Sequence, residues 1–197
     1  MIERAVEALE RGEAVILPTD TVYGICSTAH RRDAVERLSR LKRRDEAQPI
    51  ALVAAGVESL LEAVPELRGR AEAIARELLP GPYTLIFANP ERRFGWLVGA
   101  RPDTIGVRVP VLEGDAKAIV ERVGAVAATS ANLHGGPDPR SVEEIPQELL
   151  EGVAVVVDAG PLPGVASTVV DFTGDEPRVL REGGGDAARA LEVAARA

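Results

Sequence analysis

Four apolar residues, Ala14-Val15-Ile16-Leu17, run straight into Pro18-Thr19-Asp20-Thr21-Val22-Tyr23-Gly24. A short apolar run stopped by proline reads as a buried strand that ends abruptly. Thr19, Asp20 and Thr21 then present three small polar side chains in a row. Such residues cap a following helix by accepting bonds from its free backbone N–H groups. In an open α/β sheet, the end of a strand leading into a helix is also where ligands bind. On this stretch alone, an ordinary capped turn and a binding loop are both open readings.

Strands and helices alternate along the chain. Ile2, Val6 and Leu9 share one helical face, and Gly12 supplies a C-terminal stop, so Ile2 to Arg11 reads as a helix. Ala34, Val35, Leu38 and Leu41 predict a second helix from about Arg31 to Arg43, with Asp33 early and basic residues late, as the helix dipole prefers. Ile50 to Ala54, Tyr83 to Phe87, Thr104 to Val109, Ala125 to Ala128, Val153 to Val157, Ser167 to Phe172 and Arg178 to Leu180 read as strands. Helices are expected at Val57 to Val64, Glu66 to Leu79, Glu113 to Val123 and Asp186 to Ala195. Ser141 and Glu144 form a capping-box pattern for a further helix to about Leu150. There is no internal repeat, linker or shift in composition. The expectation is one α/β domain on a twisted, mixed parallel and antiparallel open sheet with flanking helices.

A length of 197 residues suits one such domain, and 46% hydrophobic with 27% charged residues is globular rather than disordered. The apolar runs are too short to span a bilayer, so no membrane partner is expected. The N-terminus starts an amphipathic helix and lacks a signal-peptide layout. The single cysteine, Cys26, leaves no internal disulfide, and a cytoplasmic setting is the default. Cys26 reads as a small buried filler rather than a nucleophile. A net charge of −8 and only 3% aromatic residues argue against direct, broad nucleic-acid binding.

Familiar catalytic sets are missing. There is no Walker A pattern and no Gly-x-Ser-x-Gly elbow; His30 and His134 are too isolated for a zinc site, so no protein-held metal is expected. Gly183-Gly184-Gly185 before a helix is a weak phosphate-loop signal without a lysine. Hydroxyl residues, glycines and arginines instead gather at strand ends, with Arg44, Arg108 and Arg181 on three separate segments. Arg108 stands out inside Ile105-Gly106-Val107-Arg108-Val109. A guanidinium in an apolar strand needs an anion. That anion is either an internal carboxylate such as Asp158 or Asp171, or a ligand carboxylate held bidentately. Phosphoryl and nucleotidyl transfer depend mainly on charge positioning of this kind.

Seven motifs occur in order: Pro18 to Gly24, Lys42-Arg43-Arg44, Leu79-Pro80-Gly81-Pro82-Tyr83-Thr84, Thr104 to Pro110, Thr129-Ser130-Ala131-Asn132, Ser167-Thr168-Val169-Val170-Asp171 and Leu180-Arg181-Glu182-Gly183. With this set the chain resembles the YrdC-type threonylcarbamoyl-AMP synthases, in a short form with residues 1–197 as one YrdC-like domain. The resemblance implies a YrdC-like fold with a central cleft. It implies a nucleotidyltransferase that makes threonylcarbamoyl-AMP and pyrophosphate from L-threonine, bicarbonate and ATP, for threonylcarbamoyladenosine modification of tRNA by a downstream transfer machinery. Carried over by position, Thr21, Arg108, the Ala128 backbone and Ser167 would hold threonine. Arg44, Gln48, Thr104, Ser130, Asp138 and Arg181 would hold ATP, and Lys42 and Arg44 would offset charge on its phosphates. Mg²⁺ would arrive bound to ATP.

The chain departs from the family pattern at Asp45, Gln48, Val53 and Asp138, around the nucleotide end and the threonine side chain. These departures point toward a YciO-like branch, which would act as an RNA-binding or other nucleotide-binding protein. A carbamoyl-transfer domain like that of HypF hydrogenase maturation factors is a third reading.

Overall fold

The computed structural model describes residues 1–45 and 47–197. In chain order the elements are α1 (Ile2–Arg11), β1 (Val15–Leu17), β2 (Gly24–Thr28), α2 (Arg32–Leu41), β3 (Ala51–Ala54), α3 (Val57–Ala63), α4 (Arg70–Leu78), β4 (Tyr83–Ala88), β5 (Thr104–Arg108), α5 (Gly114–Val123), β6 (Ala125–Ser130), α6 (Gln147–Gly152), β7 (Val155–Val156), β8 (Thr168–Asp171), β9 (Arg178–Arg181) and α7 (Ala187–Arg196). The strands form one sheet in the order β7-β1-β2-β6-β3-β5-β4-β8-β9. β1 with β7, β3 with β5 and β4 with β8 run parallel, and the remaining neighbours are antiparallel. The sheet is mixed and open, as the pattern of elements predicts. Among the described residues no helix is long and apolar enough to cross a membrane.

Successive side chains in a strand point to opposite faces, and this alternation creates the cleft. Ile16, Ile25, Leu52, Leu85, Ile105, Val107, Ala127 and Val170 point to one face and join the larger core beneath α2, α3, α4, α6 and α7. Val15, Leu17, Cys26, Val53 and Val126 point to the other face, where α1 and α5 pack against them with Leu9, Ile119 and Val120. That pair of helices covers only the half of the face made by β7, β1, β2, β6 and β3. The outward residues of β4, β5, β8 and β9 have no helix above them and line a cleft.

Several local expectations need correction. The stretch after Leu17 does not open a helix. Thr19 Oγ1 accepts bonds from the Thr21 and Val22 backbone N–H groups, at 3.2 and 3.3 Å, and donates to the Val22 carbonyl at 2.8 Å. The chain thus turns on itself and returns as β2, antiparallel to β1. The Ser141 capping box is also not formed. Glu144 Oε2 accepts from the Arg140 N–H at 2.8 Å, Val142–Glu144 is a short 3₁₀ turn, and Pro146 delays α6 to Gln147. By contrast, α1 stops at Gly12 as read, with a left-handed φ of 78° and its N–H bonded to the carbonyls of Ala8 and Leu9.

Candidate active site

The cleft encloses about 500 Å³. Its floor is the uncovered sheet face: Thr104, Gly106 and Arg108 of β5, Thr84 and Ile86 of β4, Ala128 and Ser130 of β6, and Val169 of β8. Arg44, Arg101, Ser167, Arg181 and Asp138 come in from the strand ends and loops. Thr104 and Arg108 share a face because both are even-numbered steps along β5. Ile105 and Val107 between them are buried in the core, which holds the strand flat.

Four guanidiniums face one lining carboxylate, Asp138, among the described residues. Each is held by bonds that leave part of its fork free. Arg44 donates from Nη1 to Thr129 Oγ1 at 3.2 Å and from Nη2 to the Pro49 carbonyl at 2.6 Å. Arg181 donates to the Ser167 carbonyl from Nε and Nη2, at 3.0 and 2.8 Å, and from Nη2 to Ser167 Oγ at 3.1 Å. Ser167 Oγ also meets Thr84 Oγ1 at 2.8 Å. Arg101 is anchored by Asp171 at 2.8 Å and Thr173 at 3.1 Å.

Arg108 is the most enclosed of these. Its Nη2 donates to Thr21 Oγ1 at 3.1 Å and to Asp20 Oδ1 at 3.3 Å. The anion expected beside it is therefore neither Asp158 nor Asp171. Asp158 accepts from the Tyr23 hydroxyl, and Asp171 pairs with Arg101. Burial pulls Arg108 below the ordinary guanidinium range, while the Asp20 charge supports its proton and Arg181 opposes it. Burial likewise pushes the Asp20 carboxyl up, against the bond from the Val111 N–H and the Arg108 charge. Burial also lowers Arg44.

Nearly all buried polar atoms in proteins find a partner. Here Arg108 Nε, Arg44 Nε and Gln48 Oε1 are buried and have none among the described residues. All three lie at or beside the cleft. A surplus of guanidinium charge with unspent donors is a receptacle for an anion.

The positions singled out from the sequence sort into two groups. Arg44, Thr104, Arg108, Ala128, Ser130, Asp138, Ser167 and Arg181 all line the one cleft. Thr21, Gln48 and Lys42 do not. Thr21 stands behind Arg108, and Gln48 lies between the lining residues Ala47 and Pro49, with Nε2 3.4 Å from His134 Nε2. Lys42 is 1% exposed and is not among the residues that line the cleft. The ammonium donates to the Ser130 carbonyl, to the Asn132 carbonyl at 2.8 Å and to Asn132 Oδ1 at 3.0 Å. Burial and the Arg44 charge lower it to about 8, against the pull of Asp138.

In the glycine triplet, the Gly183 N–H donates to Thr168 Oγ1 and the Gly184 N–H to the Ala166 carbonyl. A Cβ on Gly183 would run into the Ala166 carbonyl and one on Gly185 into the Tyr83 ring, so these glycines allow close packing. Sequence reasoning missed Asp20, Thr84, Arg101 and Asn132 as members of the site. Asp20, Thr84 and Asn132 lie inside motifs already singled out, but the pairing of Asp20 with Arg108 spans 88 positions of sequence and leaves no local signal.

Comparison with known proteins accords with this geometry. The Sua5/YciO/YrdC family model, which carries the description telomere recombination, matches residues 7–183. The chain belongs to this family. A putative threonylcarbamoyl-AMP synthase of Mycobacterium tuberculosis is 36% identical over 196 residues, which cover 98% of this chain and 88% of the relative. Among solved structures, Sua5 of Pyrococcus abyssi complexed with L-threonine superposes with a TM-score of 0.87 at 32% identity, over 98% of this chain and 56% of that one. Escherichia coli YciO superposes with a TM-score of 0.84 at 29% identity, over 96% of this chain and 92% of YciO.

Proposed function

We propose that this chain is an L-threonylcarbamoyladenylate synthase. It would take L-threonine, bicarbonate and ATP and release threonylcarbamoyl-AMP and pyrophosphate. The observation that carries the reading is the row Thr104, Gly106 and Arg108 on the cleft floor. It sets a guanidinium suited to a carboxylate roughly 13 Å along one strand from a hydroxyl at the other end. Arg44 and Arg181 flank the cleft with further positive charge.

Threonine would lie with its carboxylate on Arg108, whose Nε is unspent, and near Ser167. The uncharged amine takes up CO2 derived from bicarbonate, forming a C–N bond and losing a proton. A carbamate oxygen then attacks the α-phosphorus of ATP, forming a P–O bond as the bond to the β-phosphate oxygen breaks and pyrophosphate leaves. Arg44 and Arg181 offset the charge that shifts onto the phosphates. ATP enters as its magnesium complex, so the metal belongs to the substrate. Arg44, Ser130 and Asp138 would form the wall for the nucleotide, and Arg108 and Ser167 the end for threonine. Gln48 would close the nucleotide end and Thr21 would steady Arg108. Residues 1–197 would work as one unit in the cytoplasm and hand the adenylate to a transfer machinery that modifies tRNA.

The test is pyrophosphate release by the purified protein with each substrate omitted in turn. Release should require threonine and bicarbonate as well as ATP. Equal release without threonine would remove the assignment.

A further inference from the structure

The connection from β7 to β8 is held in a way the proposed chemistry does not use. β7 lies at one edge of the sheet and β8 is the last strand but one at the other, so residues 157–167 pass from one side of the sheet to the other. The segment reaches the cleft with Ala166 and Ser167. Packing does little to fix it on the way. No residue from Asp158 to Val165 is buried, and Leu162 is only partly covered by the core. Gly160 and Gly164 turn it at φ of 76° and 78°, where other side chains are disfavoured. Hydrogen bonds hold it instead. The Leu162 N–H donates to the Arg140 carbonyl at 2.7 Å, and the Gly164 N–H to the Thr21 carbonyl at 2.9 Å. Three more bonds converge on one atom. The Tyr23 hydroxyl accepts from the Ala159 N–H at 2.9 Å and shares its proton between Asp158 Oδ1 at 2.9 Å and the Gly160 carbonyl at 2.8 Å.

Tyr23 is a fixed post for these bonds. It is 0% exposed, its N–H donates to the Pro139 carbonyl at 2.9 Å, and its carbonyl accepts from the Ala131 N–H at 2.8 Å. Burial raises the hydroxyl above the ordinary phenol range, so it keeps the proton it donates. Two residues back, Thr21 ties the same segment to the carboxylate clamp. Its carbonyl takes the Gly164 N–H, and its hydroxyl takes Arg108 Nη2. We propose that Tyr23 is a positioning residue, whose hydroxyl latches residues 158–165 from inside the core and so sets Ser167 and Arg108 for threonine without touching it. The inference rests on the synthase reading and adds a residue that acts from behind the site. The backbone bonds of Tyr23 to Pro139 and Ala131 do not need the hydroxyl, so losing it leaves the opposite wall of the cleft in place.

Tyr23→Phe removes the hydroxyl and keeps the ring. In the whole chain, amide hydrogen exchange over residues 159–164 should become about fivefold faster, with β1 and β2 unchanged. Threonine affinity by calorimetry should fall about fivefold, and ATP affinity should change by less than about twofold. In pyrophosphate release, KM for threonine should rise by the same factor while kcat and KM for ATP hold. Equal losses for threonine and ATP would mean a general loosening of the fold and overturn the proposal, as would faster exchange with threonine affinity intact. If Tyr23→Phe does not fold, the wild-type protein carries the test. Coupling is reciprocal, so saturating threonine should slow exchange over residues 159–164 and ATP alone should not. Exchange there that ignores threonine would overturn the proposal. Wild-type protein that binds threonine and ATP without releasing pyrophosphate would count against the synthase reading alone.

Discussion

Replacing Arg108 by alanine should damage two things at once, and a second substitution separates them. Arg108 and Asp20 are both largely enclosed, with side chains 14% and 12% exposed, so removing the guanidinium strands a carboxylate. Breaking a buried pair from one side costs about 3–5 kcal/mol. The 3.3 Å contact is loose and Asp20 keeps the Val111 N–H at 3.1 Å, so the low end applies. For a chain of this size, about 3 kcal/mol lowers the melting temperature by roughly 6–12 °C. Sequence alone leaves both outcomes open, since an internal ion pair would cost stability when broken and a guanidinium reserved for a ligand would not. Threonine binding loses a charge-assisted bond worth roughly 1.5–3 kcal/mol, about ten- to a hundredfold in affinity. Arg108→Ala with Asp20→Asn removes the stranded charge, so scanning calorimetry should show most of the melting loss recovered. Titration calorimetry should show threonine affinity still reduced and ATP affinity little changed. Normal threonine binding by either folded variant would refute the carboxylate clamp and leave Arg108 a structural residue.

Other consequences are simpler to read. Burial pushes the Cys26 thiol up to about 12, so a thiol-alkylating reagent at pH 8 should label native protein far more slowly than protein in urea, and Cys26→Ala should keep turnover within a few-fold. Gly185→Ala should lower the melting temperature by several degrees or more, because its Cβ overlaps the Tyr83 ring. Lys42 is lowered from 10.5 to about 8 in the fold. Between those values the unfolded chain binds the proton that the folded chain has released, so this group's contribution to stability rises with pH across that window. Urea midpoints at pH 7.5 and 9.5 should show that rise in wild type and lack it in Lys42→Met.

Hydrophobic patterning made most of the sheet legible before any coordinates. Runs such as Ile50 to Ala54 and Thr104 to Val109 are short, apolar and closed by glycine or proline, and they became β3 and β5. β2 was hidden because Ser27 and Thr28 interrupt its apolar run, yet both are buried in the sheet. The turn before it was misread because a threonine at the start of a helix and a threonine bonding its own loop look alike in sequence. The cleft itself was legible as hydroxyls and arginines at strand ends. Its internal bonds were not, since Asp20 to Arg108 and Lys42 to Asn132 connect segments nearly 90 positions apart. Lys42 shows the limit clearly: a basic residue in a motif says that charge is needed, and only packing says that it is buried on the Ser130 and Asn132 carbonyls.

The central claim is that this cleft joins a carbamate of threonine to an adenylate. Incubation with ATP, L-threonine and ¹³C-bicarbonate, followed by mass spectrometry of the nucleotide fraction, observes that bond directly. The account predicts an AMP adduct that contains threonine and shifts by one mass unit with the labelled bicarbonate. Pyrophosphate accompanied only by AMP, with no species carrying both threonine and the label, would contradict it.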